Sequence, residues 1–139
     1  MIILDTNVVS ALMMEEPDVV AAVWLNTQAR TSVWTTSITI FEIRFGLNTM
    51  AAGRRRVRRE AEFENMLRND LQGRILHFDH VAADEAAALM AARRSTGRSI
   101  DMRDTMIAGI AIAQRATLAT RNVRHFHDLS IPVVDPWSG

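Results

Sequence analysis

The sequence predicts an α/β protein, a single domain over residues 1–139 built on a parallel sheet of about five strands flanked by helices. Three observations predict it. Short apolar runs of strand length recur along the chain, and they alternate with longer segments of helical character. This order of elements is that of a parallel sheet covered on both faces. The length, 139 residues, suits one domain with a real core.

Taken in order, Met1–Leu4 is a wholly apolar run ending at Asp5 and reads as a buried first strand. Asn7–Met14 and Asp18–Ala29 read as helices, with Pro17 marking the break between them. Val33–Thr36 is the second strand, and Ser37 is expected to cap a helix from Ile38 toward Met50, ended by Gly53. Arg54–Asp70 reads as an exposed, highly charged helix and Arg74–Phe78 as the third strand. Val81–Arg94 is an alanine-rich helix stopped by Gly97, and Asp101–Arg115 is a further helix. Thr117–Thr120 and Ile131–Val134 complete the strands.

Composition bounds the function. Forty-eight per cent hydrophobic and 23% charged residues describe a soluble globular chain, neither disordered nor membrane-embedded. No apolar run nears the ~20 residues of a spanning helix. The opening Met1-Ile2-Ile3-Leu4-Asp5 lacks a basic n-region, so export is not expected. Cysteine is absent, which excludes disulfide frameworks, thiolate metal sites and cysteine nucleophiles and permits a reducing cytoplasm. All sixteen basic residues are arginine, and the missing lysine excludes a P-loop or Schiff-base chemistry. Net charge is zero, so any nucleic acid must be met by a local basic patch.

In open α/β sheets the functional crevice lies beyond the carboxyl ends of the strands. Asp5 ends the first strand, Glu42 sits in the helix after the second, Asp104 lies in the first turn of the helix before the fourth, and Asn122 follows the fourth. Singly, each has an ordinary structural reading. Asp5 caps a helix, Glu42 is a solvated position, Asp101 and Asp104 sit at the positive end of a helix dipole, and Asn122 is a turn residue. The apolar neighbours Ile38, Ile40, Phe41, Ile43 and Phe45 argue against a bare surface for Glu42. As a set, several oxygen ligands without cysteine or histidine suit Mg²⁺ or Mn²⁺ rather than zinc. His77, His80, His125 and His127 show no strong ligand spacing.

These residues resemble a family. Ile2-Ile3-Leu4-Asp5-Thr6-Asn7-Val8 looks like the first motif of PIN-domain proteins, and Thr36-Ser37-Ile38-Thr39-Ile40-Phe41-Glu42-Ile43-Arg44-Phe45-Gly46 like the second. The third runs from Gly97-Arg98-Ser99-Ile100 through Asp104-Thr105-Met106-Ile107-Ala108-Gly109-Ile110-Ala111 to Thr120-Arg121-Asn122. The ending Val133-Val134-Asp135-Pro136-Trp137 resembles the close of the VapC/FitB-like branch. The match spans nearly the whole chain in order. It implies the toxin of a type II toxin–antitoxin pair, a Mg²⁺-dependent (or Mn²⁺-dependent) endoribonuclease of the bacterial or archaeal cytoplasm. It also implies a homodimer held in check by a VapB-like antitoxin, with DNA met only through that antitoxin and no membrane partner. The carried-over site is Asp5, Glu42 and Asp104 as catalytic metal ligands, with Asn122 at a fourth ligand position where related sequences often hold aspartate. Asp101 is an extra acid the motif does not require, and local spacing makes it a helix cap.

The rival reading keeps the fold and replaces turnover with partner binding. A receiver domain needs a lysine the chain lacks, and a dinucleotide module needs a glycine fingerprint after the first strand. In the run Arg54–Arg59, i,i+4 spacing pairs Arg56 with Glu60 and Arg58 with Glu62, which reads as a solvated helix face. Trp24, at helical spacing from Val20, reads as core or dimer face.

Overall fold

A computed structural model describes residues 1–99 and 101–138. Five parallel strands form one sheet in the order β3-β2-β1-β4-β5. They are β1 (Ile2–Leu4), β2 (Val33–Thr36), β3 (Ile75–Leu76), β4 (Thr117–Ala119) and β5 (Val133–Val134). The helices are α1 (Thr6–Leu12), α2 (Val19–Asn26), α3 (Ser37–Thr49), α4 (Arg54–Asn65), α5 (His80–Ser95) and α6 (Met102–Gln114). The chain builds outward from β1 to β3, then returns to lay β4 against the other edge of β1. That reversal opens a crevice above the carboxyl ends of β1 and β4, where α/β sheets bind ligands.

β1 is buried on both faces, and its alternating side chains feed two cores. Leu4 joins Val8, Val9, Leu12, Phe63 and Met66 on one side. Ile3 joins Ile107, Ile110, Leu118 and Phe126 on the other. On that second side α5 and α6 pack tightly through small residues. A Cβ built on Gly109 would lie 2.6 Å from the Ala82 carbonyl oxygen and 2.7 Å from the Ala86 Cβ. Trp24 is half-buried and packs against the first core.

The element order is the expected one, and the ends shift for local reasons. Thr36, not Ser37, caps α3. Thr36 has an extended backbone, and its hydroxyl accepts from the Thr39 amide at 3.1 Å. Ser37 is already helical and accepts instead from the Phe78 amide at 3.2 Å. The helix expected over Arg54–Asp70 changes pitch, continuing past Asn65 as a π turn from Met66 to Asp70. Arg74–Phe78 contributes only two strand residues, Ile75 and Leu76, with the Arg74 carbonyl accepting from the Thr35 amide and its guanidinium meeting the Val33 and Arg30 carbonyls. The Arg58–Glu62 pairing is also corrected. Arg56 meets Glu60 at 2.9 Å, but Arg58 reaches Glu15 at 3.9 Å and Arg59 takes Glu62 at 3.6 Å. Ile100, within the third motif, lies outside the described residues. No helix among those described is long and apolar enough to cross a membrane.

Candidate acidic site at the sheet switch point

Asp5 leaves β1 and caps α1 in one step. Its carboxylate accepts from the Thr6 amide at 2.8 Å and from the Thr120 hydroxyl at 2.8 Å, with the Asn7 amide at 3.4 Å. The residue is 3% exposed, and all these donors are neutral. Among the described residues no arginine or histidine lies within salt-bridge distance of it. Burial therefore pushes its carboxyl up to about 6, helped by the nearby charges of Asp104 and Glu42 and opposed by the Thr120 and Thr6 hydrogen bonds.

Glu42 comes in from α3. Thr6 donates its hydroxyl to Glu42 Oε1 at 3.0 Å, and the Thr6 hydroxyl also meets that of Thr39 at 3.0 Å. Burial raises the Glu42 carboxyl, while Thr6 and the Arg103 guanidinium 3.9 Å away draw it down. Of the apolar residues around Glu42 in the sequence, Phe41 and Phe45 do not cover it. Phe41 and Phe45 point outward, 60% and 57% exposed, and stack on each other with centroids 6.5 Å apart.

Asp104 stands in the first turn of α6. Asp101 caps that helix, accepting from the Asp104 amide at 3.0 Å, so the two acids have separate jobs. The Asp104 carboxylate meets His125 Nδ1 at 3.1 Å. Asn122 sits in an exposed turn after β4, and its backbone N–H donates to the Thr120 hydroxyl at 3.0 Å. It thus reaches Asp5 through Thr120.

The structure brings the three acids close enough for Asp5 to feel the charges of Glu42 and Asp104, and for Glu42 to feel that of Asp104, while Asn122 is linked to Asp5 only through its backbone amide and Thr120. No three acidic or imidazole side chains converge on one point at ligand distance among the described residues. Glu42 faces Thr6 and Arg103 instead, and Asp104 faces His125. The donor set still fits a hard divalent cation, since it is all oxygen and includes a buried carboxylate with no counter-charge.

Sequence spacing did not reveal His125, which lies 21 residues from Asp104. Nor did it reveal the clasp beneath it. Arg93 is 3% exposed and grips both oxygens of Asp128 at 2.9 Å, the His125 carbonyl at 2.8 Å and the Thr105 hydroxyl at 3.2 Å. The clasp ties the turn after β4 to α5 and to α6 one residue beyond Asp104, and it holds the Asp128 carboxyl well below the usual range.

Comparison with known proteins places these features in a wider group. The family model for the PIN domain matches residues 2–131. A VapC ribonuclease Y4jK of Sinorhizobium fredii is 37% identical over 99% of this chain and 98% of its own length. Toxin FitB of Neisseria gonorrhoeae is 30% identical, covering 99% of both chains. The solved structure of FitAB bound to an IR36 DNA fragment superposes with a TM-score of 0.87 at 30% identity, over 99% of this chain and 96% of that one.

Proposed function

The chain belongs to the PIN-domain family, and from that membership we propose that it is the toxin of a type II toxin–antitoxin pair, a metal-dependent endoribonuclease that hydrolyses RNA phosphodiester bonds. The observation that carries the reading is Asp5. It is a nearly inaccessible carboxylate with only neutral donors, set at the switch point of the sheet beside Glu42 and Asp104. A buried carboxylate with no counter-charge favours a cation as its partner.

Asp5, Glu42 and Asp104 would hold Mg²⁺ or Mn²⁺, with Asn122 at the rim. The bound ion supplies Lewis-acid charge against the phosphate and acidifies water beside it. The chain's own residues do the rest. Thr120 and the Thr6 amide orient the Asp5 carboxylate, and the Thr6 hydroxyl, itself met by Thr39, orients Glu42. Glu42 would ligate the ion or orient the attacking water beside it. No side chain forms a covalent intermediate. Asn122 in place of a fourth carboxylate leaves the site one negative charge short of the four-acid form, which favours one tightly held ion over two.

Partner and place follow from the same membership. The toxin name of the FitB relative and the DNA-bound FitAB complex support a small DNA-binding antitoxin as partner, so that DNA is met through it. The exposed Phe41–Phe45 pair supports a homodimer face. The chemistry belongs in the cytoplasm, where RNA is. Incubation with total RNA tests the activity. Cleavage with Mg²⁺ or Mn²⁺, abolished by EDTA and by Asp5→Asn, is expected, and cleavage undiminished by exhaustive chelation would sink the metal-dependent reading.

A further inference from the structure

An acidic site repels the polyanion it is to cut, and a chain of zero net charge offers no global attraction. Local cations must hold the strand. The basic run on α4 is partly self-paired: Arg56, Arg58 and Arg59 each meet a glutamate, while Arg54 and Arg55 are exposed and meet none within 4.0 Å among the described residues. The turn after β4 differs in being hydrogen-bonded to the acidic site itself. Arg121, Asn122, Val123, Arg124 and His125 line a cavity of about 500 Å³. Arg121 and Arg124 are exposed, and neither meets a carboxylate within 4.0 Å among the described residues.

This turn adjoins the acidic site at three points. The Arg121 amide donates to Asn7 Oδ1 at 3.1 Å, the Asn122 amide reaches Asp5 through Thr120, and His125 contacts Asp104. From below, Arg93 grips the His125 carbonyl. Arg121 is also pre-ordered, its guanidinium stacked 4.5 Å from the centre of the Trp137 ring. A stacked arginine has less freedom to lose on binding, and its edge remains open to a phosphate.

We propose that the turn Arg121–His125 is the phosphate seat of this protein, where Arg121 and Arg124 each pair with a backbone phosphate of the single-stranded RNA flanking the scissile bond. The inference rests on the ribonuclease reading and names where that substrate is gripped. It assigns Trp137 as the positioning residue for Arg121.

Fluorescence anisotropy of a labelled single-stranded RNA in EDTA, across a series of salt concentrations, reads binding without cleavage. Each lost phosphate contact removes about 0.7 from the slope of log affinity against log salt and weakens binding about fivefold at ~0.1 M salt. The double variant Arg121→Gln/Arg124→Gln should therefore bind about 25-fold more weakly, with a slope shallower by about 1.4. Arg56→Gln/Arg58→Gln makes the same change in net charge and should leave both quantities near wild type. Trp137→Ala should lower affinity a few-fold with the slope unchanged, because the charge stays while its ordering goes. In Mn²⁺ the Arg121/Arg124 variant should raise KM and spare kcat, as uniform binding predicts. Wild-type affinity and slope in that variant, or an equal loss in the α4 control, overturns the seat while leaving the ribonuclease reading intact. A wild-type protein that binds no RNA in EDTA overturns the seat, and one that also cuts no RNA in Mn²⁺ overturns both readings.

Discussion

Replacing Asp5 by asparagine should make the metal-free protein more stable at neutral pH. In the folded chain the Asp5 carboxyl is raised from 3.8 to about 6, mainly by burial. A shift of about two units corresponds to roughly 3 kcal/mol of penalty on the ionised form at pH 7, taken as an upper bound. Asparagine removes the charge and remains a good helix cap. It offers one acceptor and one donor where the carboxylate offers two acceptors, however, and Thr6, Thr120 and Asn7 all present donors. One lost hydrogen bond costs about 1 kcal/mol, so the net gain is about 1–2 kcal/mol. At this chain length that is roughly 3–8 °C in Tm. The sign depends on pH. A folded pKa above the unfolded one means the folded state holds more protons between pH 3.8 and about 6, so the wild-type contribution falls as pH rises through that window. The advantage of the variant should be largest above pH 6 and vanish or invert near pH 4. Paired thermal melts in EDTA across this range measure it, because differences between the two proteins cancel the other carboxylates. Mn²⁺ should then raise the wild-type Tm and leave that of Asp5→Asn nearly unmoved. A variant less stable than wild type in EDTA at pH 7, or a difference that does not change with pH, would refute the account of Asp5 as a charge awaiting a cation.

Three further predictions follow from contacts. Asp101→Ala removes the cap on α6 and should cost about 1 kcal/mol while retaining most cleavage, whereas Asp104→Ala should abolish cleavage with little change in stability; denaturant melts and single-turnover assays in Mn²⁺ separate the two. Gly109→Ala gains about 1 kcal/mol of helix propensity but forces its methyl against the Ala82 carbonyl, so a net loss of about 1–2 kcal/mol is expected in urea unfolding, and a gain would show that α5 and α6 part easily. Arg93→Met should cost about 2–4 kcal/mol and weaken Mn²⁺ binding by calorimetry, since it frees the turn that faces Asp104; unchanged metal affinity in a destabilised protein would limit Arg93 to the fold.

The alternation of apolar runs with helical segments sufficed for the sheet, because strands buried on both faces are largely apolar, as Ile3 and Leu4 are, with β2's buried Thr35 and Thr36 the polar exceptions. Element ends were harder, since they depend on which hydroxyl wins a cap. Thr36 and Ser37 both qualify chemically, and the extended backbone of Thr36 decides between them. Within the site, the spacing of Asp101 and Asp104 made the cap legible, because capping is local. The contacts of His125 with Asp104 and of Arg93 with Asp128 join residues 21 and 35 apart, and no periodicity encodes such pairs. The expectation that Glu42 is no bare surface position holds, its side chain 20% exposed, but Phe41 and Phe45 turn outward. Apolar neighbours in sequence are not neighbours in space when a helix turns them to another face.

The strand order carries a consequence for synthesis. β1 gains its second partner only when β4 returns to it, and the bond from Thr120 to Asp5 closes a loop of 115 residues. On the ribosome, β1, α1 and α3 can emerge and pack with one edge of the central strand bare, holding Asp5 and Glu42 without Asp104. A nascent chain stalled before α6 therefore has half an acidic site and no turn beyond β4. Nothing upstream of that point can assemble the site early, so a ribosome making this protein is kept from a competent nuclease until the last third of the chain is through the tunnel.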